Sequence, residues 1–210
     1  MIVNKEKDRV HIQIVIFDLG GVLIDWNPRY LYRKLMKSEA EIEHFLSHIC
    51  TPAWNAQQDA GRPFHEGVTV LIKQYPQYRE LIEAYHQRWE ETLGDALWES
   101  VEIFRQIKSA GLPVYALTNW SAETFPYTRK RFSFLHEFDG IVVSGEEKVA
   151  KPEARLFHIL LERYKIEAST ALYIDDNADN IATAKQLGLH SIHFQNAPQL
   201  RQALQELKVL

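Results

Sequence analysis

Cysteine is scarce in this sequence: Cys50 is the single cysteine among 210 residues, so an intrachain disulfide is excluded. A chain without disulfides suits a reducing compartment, and we expect the protein to be cytoplasmic. Long apolar runs are also lacking, and a run such as Ile14 to Phe17 is far too short to cross a bilayer. Because Met1 to His11 is polar and mixed in charge, we expect no signal peptide and no membrane partner.

The chain has no strong excess of charge of either sign. Its formal net charge of −4 provides no basic surface, so nucleic acid is not expected as a partner. The glycine spacing typical of dinucleotide-binding loops is missing too, since Gly20 and Gly21 stand side by side after the first predicted strand. An apolar content of 46% is that of an ordinary globular protein, and 210 residues allow one domain with a large insertion or two domains.

The first clear structural signal is the apolar run from Ile14 to Phe17. Such a run predicts a strand buried on both faces, which ends at Asp18 and is followed by a sharp turn at the glycine pair. In an open α/β sheet, ligands lie at the carboxyl ends of the strands, so Asp18 is a candidate site residue. Taken alone, the stretch is equally compatible with an Asp-Gly turn that closes an ordinary strand.

From Ser100 onward, strand-like and helix-like segments alternate, which predicts βαβ units and a parallel sheet. The predicted strands are 113–117, 141–143, 171–174 and 191–194, and the predicted helices include 152–164, 178–187 and 198–207. Two of these strands end in polar pairs, Thr118-Asn119 and Asp175-Asp176, and Lys151 stands just before a predicted helix. Several chemically useful side chains are therefore expected at one edge of the sheet.

Between Tyr30 and Ala96 the apolar residues recur every three to four positions, which predicts roughly four helices and no strands. We therefore predict an α/β fold, a doubly wound parallel sheet with an inserted all-helical domain. The expected division is 1–25 and 97–210 for the α/β core and 26–96 for the helical insert.

Four segments, taken in order, resemble the motifs of the haloacid dehalogenase-like hydrolase superfamily, in particular its small-cap, sugar-phosphatase-like members. The segments are Phe17-Asp18-Leu19-Gly20-Gly21-Val22, Leu117-Thr118-Asn119, Lys151-Pro152-Glu153 and Ile174-Asp175-Asp176-Asn177-Ala178-Asp179-Asn180. The resemblance covers nearly the whole chain and implies a Rossmann-like core in which the helical insert is the cap. It also implies a Mg²⁺-dependent phosphatase for small phosphorylated metabolites that works through an aspartyl-phosphate.

The resemblance assigns a metal site to the acidic strand ends. Asp18 would be both nucleophile and metal ligand, Gly20 a ligand through its carbonyl oxygen, and Asp176 a ligand through its carboxylate. Asp175 would belong to the same metal site, either standing behind these ligands or reaching the metal through water. The chemistry agrees, since carboxylates gathered at adjacent strand ends repel one another unless a cation joins them, and Mg²⁺ takes carboxylates, waters and phosphate oxygens.

The resemblance also assigns catalytic and substrate-binding roles to three residues beside the acids. Lys151 would neutralise charge between Asp18 and the transferred phosphoryl group, and Thr118 and the Asn119 amide would hold the phosphoryl oxygens. Asn180 replaces a frequent acid of the family and could brace Lys151 only through its amide oxygen. A solvated Lys151 and a Thr118 that merely caps its strand are the plainer alternatives.

One position departs from the family pattern, because phosphatases of this kind usually carry an aspartate where this chain has Gly20. Loss of a general acid typically costs ~10²–10⁴-fold in rate. We therefore expect a preference for substrates with an acidic leaving group, such as sugar 1-phosphates or acyl phosphates. Asp25 and His65 are the first alternative proton donors.

Two other functions remain open on the sequence. In a 2-haloacid dehalogenase the same Asp18 would attack carbon, and the glycine at position 20 would be harmless because halide needs no proton. A protein that kept the fold without turnover would bind Mg²⁺ and phosphate but release none. Candidate substrate contacts in the insert are Trp26, Arg29, Trp54, Gln57 and Arg62.

Overall fold

The computed structural model describes residues 11–210 of the chain. The expectation that no signal peptide opens the chain concerns residues that lie almost entirely outside this range. The strands of the described part are β1 (Ile14–Phe17), β2 (Ile24–Trp26), β3 (Leu93–Ala96), β4 (Val114–Thr118), β5 (Gly140–Val143), β6 (Ala171–Asp175) and β7 (His190–His193).

The helices surround these strands and connect them. They are α1 (Arg29–Leu35), α2 (Glu39–His48), α3 (Pro52–Asp59), α4 (Phe64–Gln74), α5 (Arg79–Gln87), α6 (Trp98–Ser109), α7 (Phe125–Arg131), α8 (Ser144–Glu147), α9 (Ala154–Tyr164), α10 (Ala178–Gln186) and α11 (Ala197–Glu206). Within residues 11–210, no helix combines the length and the apolar character that a membrane crossing requires.

Five strands form one parallel sheet in the order β5-β4-β1-β6-β7, which confirms the predicted α/β fold. The central strand β1 pairs with β4 on one side and β6 on the other, so that Phe17 lies opposite Ala116 and Ile174. This register brings the carboxyl ends of the three strands level with one another. Asp18 and the polar pairs after the neighbouring strands consequently meet at one edge of the sheet.

Helices cover both faces of the sheet because the strand residues alternate between two apolar layers. Val15 and Phe17 of β1 belong to one buried cluster, in which Phe17 packs edge-on against Phe104 of α6 at 6.2 Å between ring centroids. Ile16 points to the opposite face and joins a second cluster with Tyr173 and Phe157, a residue of α9. Burial on both faces explains why β1 is an uninterrupted apolar run.

The segment between β2 and β3 contains five helices, α1 to α5, rather than about four. Strand β3 was not predicted, because its Leu-Gly-Asp-Ala sequence contains two poor strand formers. Pairing explains the difference, since β3 runs antiparallel to β2 with Ile24 opposite Ala96 and Trp26 opposite Leu93. The division into two domains at residues 25 and 97 stays a prediction.

Two further details differ from the predicted helices. Helix α9 begins at Ala154, so Pro152 precedes the helix instead of occupying its first turn. Helix α7, Phe125–Arg131, was not predicted; it carries Pro126 in its first turn, and it is short, with a cluster of basic residues at its end.

Candidate active site

A cavity of about 330 Å³ opens at the carboxyl edge of the sheet, between the sheet and the helices that connect β2 to β3. It is lined by Asp18, Gly20, Gly21, Asn119, Trp120, Lys151, Asp176, Asn177 and Asn180 from the loops around the sheet, and by Trp26, Asn55, Asp59 and Trp89 from the segment before α6. Five of the seven residues that the sequence analysis placed in the site, Asp18, Gly20, Asn119, Lys151 and Asp176, therefore line one cavity.

The loop after β1 fixes the Asp18 carboxylate. Its Oδ1 accepts a hydrogen bond from the backbone N–H of Leu19 at 2.7 Å and lies 3.0 Å from Nζ of Lys151. The second glycine of the loop, Gly21, has φ +75°, and a Cβ atom there would come within 2.5 Å of Oδ2 of Asp176. Only glycine fits at this position, and its missing side chain lets the Asp176 carboxylate approach the loop.

Lys151 is completely buried and lies between two acids. Its Nζ donates to Oδ2 of Asp175 at 2.7 Å and to the carbonyl oxygen of Leu117 at 2.8 Å, in addition to the contact with Asp18. The Asn119 side chain holds the Lys151 backbone from both sides, since its Nδ2 donates to the carbonyl oxygen at 2.9 Å and its Oδ1 accepts from the N–H at 2.8 Å. Asn119 thus positions the lysine loop, a role that the sequence analysis did not foresee.

Asp175 lies behind the cavity and is fully buried, with both carboxylate oxygens occupied. Its Oδ2 accepts from Lys151, from the Tyr173 hydroxyl and from Nδ2 of Asn180, and its Oδ1 accepts from the backbone N–H of Asn177. This pattern suits a residue that orients Lys151 and would not contact a bound cation directly. Asn180 donates to Asp175 at 3.0 and 3.1 Å and does not use its amide oxygen to brace Lys151.

The acidic cluster carries more negative charge than its lysine balances. Oxygens of Asp18, Asp175 and Asp176 all lie within 4.8 Å of one another. Burial raises the pKa of the Asp18 carboxyl, Lys151 counteracts this rise, and the charges of the other two aspartates add to it. Burial would lower the pKa of the Lys151 ammonium, but the two neighbouring carboxylates outweigh it and raise that pKa above its ordinary value. Clustered carboxylate oxygens with a charge deficit fit a hard cation such as Mg²⁺.

Two buried donors beside this cluster have no hydrogen-bond partner within residues 11–210: the Thr118 hydroxyl and the indole N–H of Trp120. Both residues lie at or just after the end of β4, and both are at least 95% buried. A buried polar group without a partner costs roughly 1–3 kcal/mol. Thr118 therefore does not cap its strand by a hydrogen bond, and an anionic ligand would satisfy donors of this kind.

Of the substrate contacts expected in the insert, only Trp26 lines the cavity. Arg29 forms a two-bond ion pair with Glu43, at 2.5 and 2.7 Å. The indole N–H of Trp54 donates to the Gly67 carbonyl oxygen at 3.2 Å. Gln57 and Arg62 are hydrogen-bonded to each other. None of these four residues lines the cavity, and each instead contacts other parts of the insert.

The alternative proton donors also lie elsewhere. Asp25 accepts a 2.5 Å hydrogen bond from the Tyr30 hydroxyl, and His65 lies on α4 in a separate surface groove. Asn55, Asp59, Trp89 and Trp120 also line the cavity but were not predicted as site residues. The available signal was weak: Asn55 and Asp59 are four residues apart and so share one helix face, but such polar faces usually meet solvent.

The fold and the site together define a Rossmann-like α/β protein with an acidic, lysine-bridged cavity at the carboxyl edge of its sheet. The family model of the haloacid dehalogenase-like hydrolases matches residues 12–188, and the chain belongs to this family of hydrolytic enzymes.

The relatives of this chain include two phosphatases. The chain is 25% identical over 185 residues to a sesquiterpene phosphatase of Aspergillus oryzae, covering 85% of this chain and 88% of the relative. It is 22% identical over 191 residues to a phosphorylated carbohydrates phosphatase of Thermotoga maritima, covering 87% and 84%. A haloacid dehalogenase family enzyme of Bacteroides thetaiotaomicron, crystallised with magnesium and inorganic phosphate, shares the fold with a TM-score of 0.66 at 22% identity, covering 88% of this chain and 95% of that one.

Proposed function

We propose that the protein is a Mg²⁺-dependent phosphatase that hydrolyses small phosphorylated metabolites, with sugar 1-phosphates as the first substrates to test. The observation that carries the proposal is the position of Lys151. Its ammonium is buried between Asp18 and Asp175 at the floor of the cavity, where it would meet both a carboxylate nucleophile and a transferred phosphoryl group.

The proposed mechanism begins at Asp18. Its Oδ1 is held by the Leu19 N–H and Lys151, which leaves Oδ2 to attack phosphorus and form an aspartyl-phosphate. Lys151 neutralises the charge that gathers between the carboxylate and the phosphoryl oxygens, and the unpartnered Thr118 hydroxyl donates to one of those oxygens. Attack of water on the aspartyl-phosphate then releases inorganic phosphate and regenerates the carboxylate.

Asp18, Asp176 and the Gly20 carbonyl oxygen would hold the metal ion. When bound, Mg²⁺ supplies positive charge to the acidic cluster and to the phosphoryl group. Asp175, whose oxygens are already occupied, would keep Lys151 in place. The Bacteroides thetaiotaomicron enzyme crystallised with magnesium and inorganic phosphate supports this assignment by its shared fold.

The lining of the cavity supports a carbohydrate portion in the substrate. Three indole rings, those of Trp26, Trp89 and Trp120, offer flat apolar surfaces, while side-chain amides and a free indole N–H offer hydrogen bonds. A sugar presents C–H faces and hydroxyl groups that match such a mixture. The carbohydrate-directed name of the Thermotoga maritima relative points in the same direction. A cytoplasmic location, inferred from the single cysteine, would give access to such metabolites.

The experiment measures phosphate release from glucose 1-phosphate and a panel of other phosphorylated metabolites, with Mg²⁺ and with a chelator. We expect turnover only with the metal, and none in Asp18→Asn, because the amide has the shape of the acid but is a poor nucleophile. A folded Asp18→Asn variant with near wild-type turnover would refute the covalent mechanism. Metal-independent release of halide from 2-haloacids would instead favour the dehalogenase alternative.

Calorimetry tests the metal site separately. Asp176→Ala is expected to weaken Mg²⁺ binding, whereas Asp179→Ala, an exposed acid three residues later that does not line the cavity, is the matched control. Equal Mg²⁺ affinity in the wild type and Asp176→Ala would remove Asp176 from the metal site. Binding of Mg²⁺ and phosphate without any turnover would support a binding protein that kept the fold.

A further inference from the structure

Asp59 is an acid that the proposed mechanism does not use, yet it lines the same cavity as Asp18 and Gly20. It is the last residue of α3 and enters the cavity from the side opposite the sheet. The end of α3 is fixed there, because the Ser144 hydroxyl donates to the Asp59 carbonyl oxygen and itself accepts from the backbone N–H of Trp120 at 2.9 Å. Asp59 is thereby tied to the loop that follows β4.

The carboxyl group of Asp59 is oriented by a chain of two hydrogen bonds. Nδ2 of Asn55, one helical turn earlier, donates to Oδ2 of Asp59 at 2.8 Å. The buried Tyr85 hydroxyl donates to Oδ1 of Asn55 at 3.0 Å and fixes the amide in turn. Besides Asn55, the backbone N–H of Ser121 donates to this carboxyl, and within residues 11–210 no further side chain does.

The surroundings of Asp59 favour its protonated form. Burial raises the pKa of this carboxyl to about 7; the Ser121 backbone N–H works against the rise, and the charge of Asp18 adds to it. Asp18 and Tyr85 of α5 are titratable groups that face Asp59. A carboxylic acid that keeps its proton near neutral pH is suited to general acid catalysis.

Asp59 is also the candidate proton donor that remains when the other titratable residues of the cavity are excluded. Of the other titratable side chains in the cavity, Asp18 and Asp176 belong to the acidic cluster and Lys151 is fully engaged. Gly20 has no side chain to donate a proton, and Asp25 and His65 do not line the cavity. We propose that Asp59 is the general acid and base of the reaction, an inference that rests on the proposed phosphatase function.

As Oδ2 of Asp18 attacks phosphorus and the bond to the leaving oxygen breaks, Asp59 transfers its proton to that oxygen and the alcohol departs. In the second step Asp59, now a carboxylate, takes a proton from the attacking water, whose oxygen bonds to phosphorus. The P–O bond to Asp18 breaks, inorganic phosphate leaves, and both acids return to their starting states.

The test compares two leaving groups in the wild type and in Asp59→Asn. p-Nitrophenyl phosphate has an acidic leaving group that needs little protonation, whereas glucose 1-phosphate and glycerol phosphate need more. We expect Asp59→Asn to lose roughly 10²–10⁴-fold in kcat/KM with the sugar and alkyl phosphates and less than about 10-fold with p-nitrophenyl phosphate. A merely structural or binding role would lower both rates by the same factor, and that result would overturn the proposal.

Rescue provides a second, independent measurement. Gly20 has no positive φ, and a Cβ atom there would meet only Trp120 Cζ3 at 3.7 Å, an ordinary contact. Gly20→Asp in the Asp59→Asn background should therefore restore turnover of the alkyl phosphates, because it returns an acid to the other side of the leaving oxygen. Asp25→Asn and His65→Asn serve as controls that keep the wild-type dependence on the leaving group. The proposal would be contradicted if either control lost the wild-type dependence of kcat/KM on the leaving group while Asp59→Asn kept it.

The wild type itself distinguishes failure of this inference from failure of the proposed function. Phosphate release from none of the substrates would refute both. Release with a steep dependence of the rate on leaving-group pKa, with chemistry shown to be rate-limiting, would leave the phosphatase intact and exclude Asp59 as its acid. This measurement needs no variant and applies even if Asp59→Asn fails to fold.

Discussion

Replacement of Lys151 by methionine tests the charge arrangement that holds the site together. Methionine keeps much of the length and the apolar stem of lysine but removes the ammonium. Asp18 and Asp175 would then be buried without the partner that now lies 3.0 and 2.7 Å from them. Because breaking a buried ion pair on one side typically costs ~3–5 kcal/mol, we expect a loss of that size in the free energy of unfolding.

For a chain of this length each kcal/mol corresponds to ~2–4 °C in Tm, so the expected decrease is ~6–20 °C. Thermal unfolding followed by circular dichroism in the presence of a chelator measures it. Lys185→Met, an exposed lysine in the last turn of α10, is the matched control and should change stability by less than about 0.5 kcal/mol. A decrease in Lys151→Met no larger than in this control would refute the reasoning.

The pH dependence of the same variant has a defined sign. Lys151 lowers the pKa of the Asp18 carboxyl, which burial nevertheless raises to about 7, so removing the lysine moves that pKa higher still. A carboxyl with a folded-state pKa above its unfolded value contributes stability at low pH that is lost as the pH rises through the folded pKa. The wild type completes this loss near pH 7, whereas the variant continues to lose stability above it. The difference in unfolding free energy should therefore widen as the pH rises through about 7, and a constant difference would contradict the assignment.

Three shorter predictions concern other parts of the chain. Gly21→Ala should lower the free energy of unfolding by ~1–3 kcal/mol, because φ of Gly21 is +75° and the new Cβ would meet Asp176. Gly20→Ala should lower it less, and equal losses in thermal unfolding would contradict this prediction. Cys50 should resist alkylation near pH 8 until the protein unfolds, since burial raises its thiol pKa to about 12, and labelling of the folded protein would refute that. Replacing 28–92 by a short turn is feasible because the Asn27 N–H donates to the Thr92 carbonyl oxygen at 2.8 Å. This change should abolish discrimination among aryl phosphates and, because Asp59 is removed as well, leave little turnover of sugar and alkyl phosphates; an unchanged substrate profile would show that the segment does not select the substrate.

The sheet could be predicted because its strands are buried on both faces and so appear as short apolar runs. Phe17 is completely buried, and the polar residue that follows it, Asp18, marks the end of the strand. The same logic placed Asp176 at that edge, since parallel strands in register end level with one another, whereas Lys151, which stands before a predicted helix, was assigned by the family resemblance. Strand β3 was not predicted, because its pairing with β2 overrides the poor strand preference of Gly94 and Asp95.

The acid from the insert could not be predicted for a different reason. Asp59 shares a cavity with Asp18 only through the tertiary arrangement that packs α3 over the carboxyl edge of the sheet, and nothing in the local pattern distinguishes it from a surface residue. Arg62, in contrast, looked like a substrate contact but donates at 2.6 Å to the side chain of Gln58 on the preceding helix. Charge near a loop is thus a weak guide to function, whereas an oriented carboxyl in a cavity is a strong one.

The central claim is that a phosphoryl group passes through Asp18, and rapid acid quenching tests it most directly. The enzyme is mixed with excess glucose 1-phosphate and Mg²⁺, quenched within one turnover, digested and analysed by mass spectrometry. We predict one acid-stable, base-labile phosphoryl group on the peptide that contains Asp18, and none in Asp18→Asn. Steady turnover with no phosphoryl group on Asp18, or with the group on another residue, would contradict the claim.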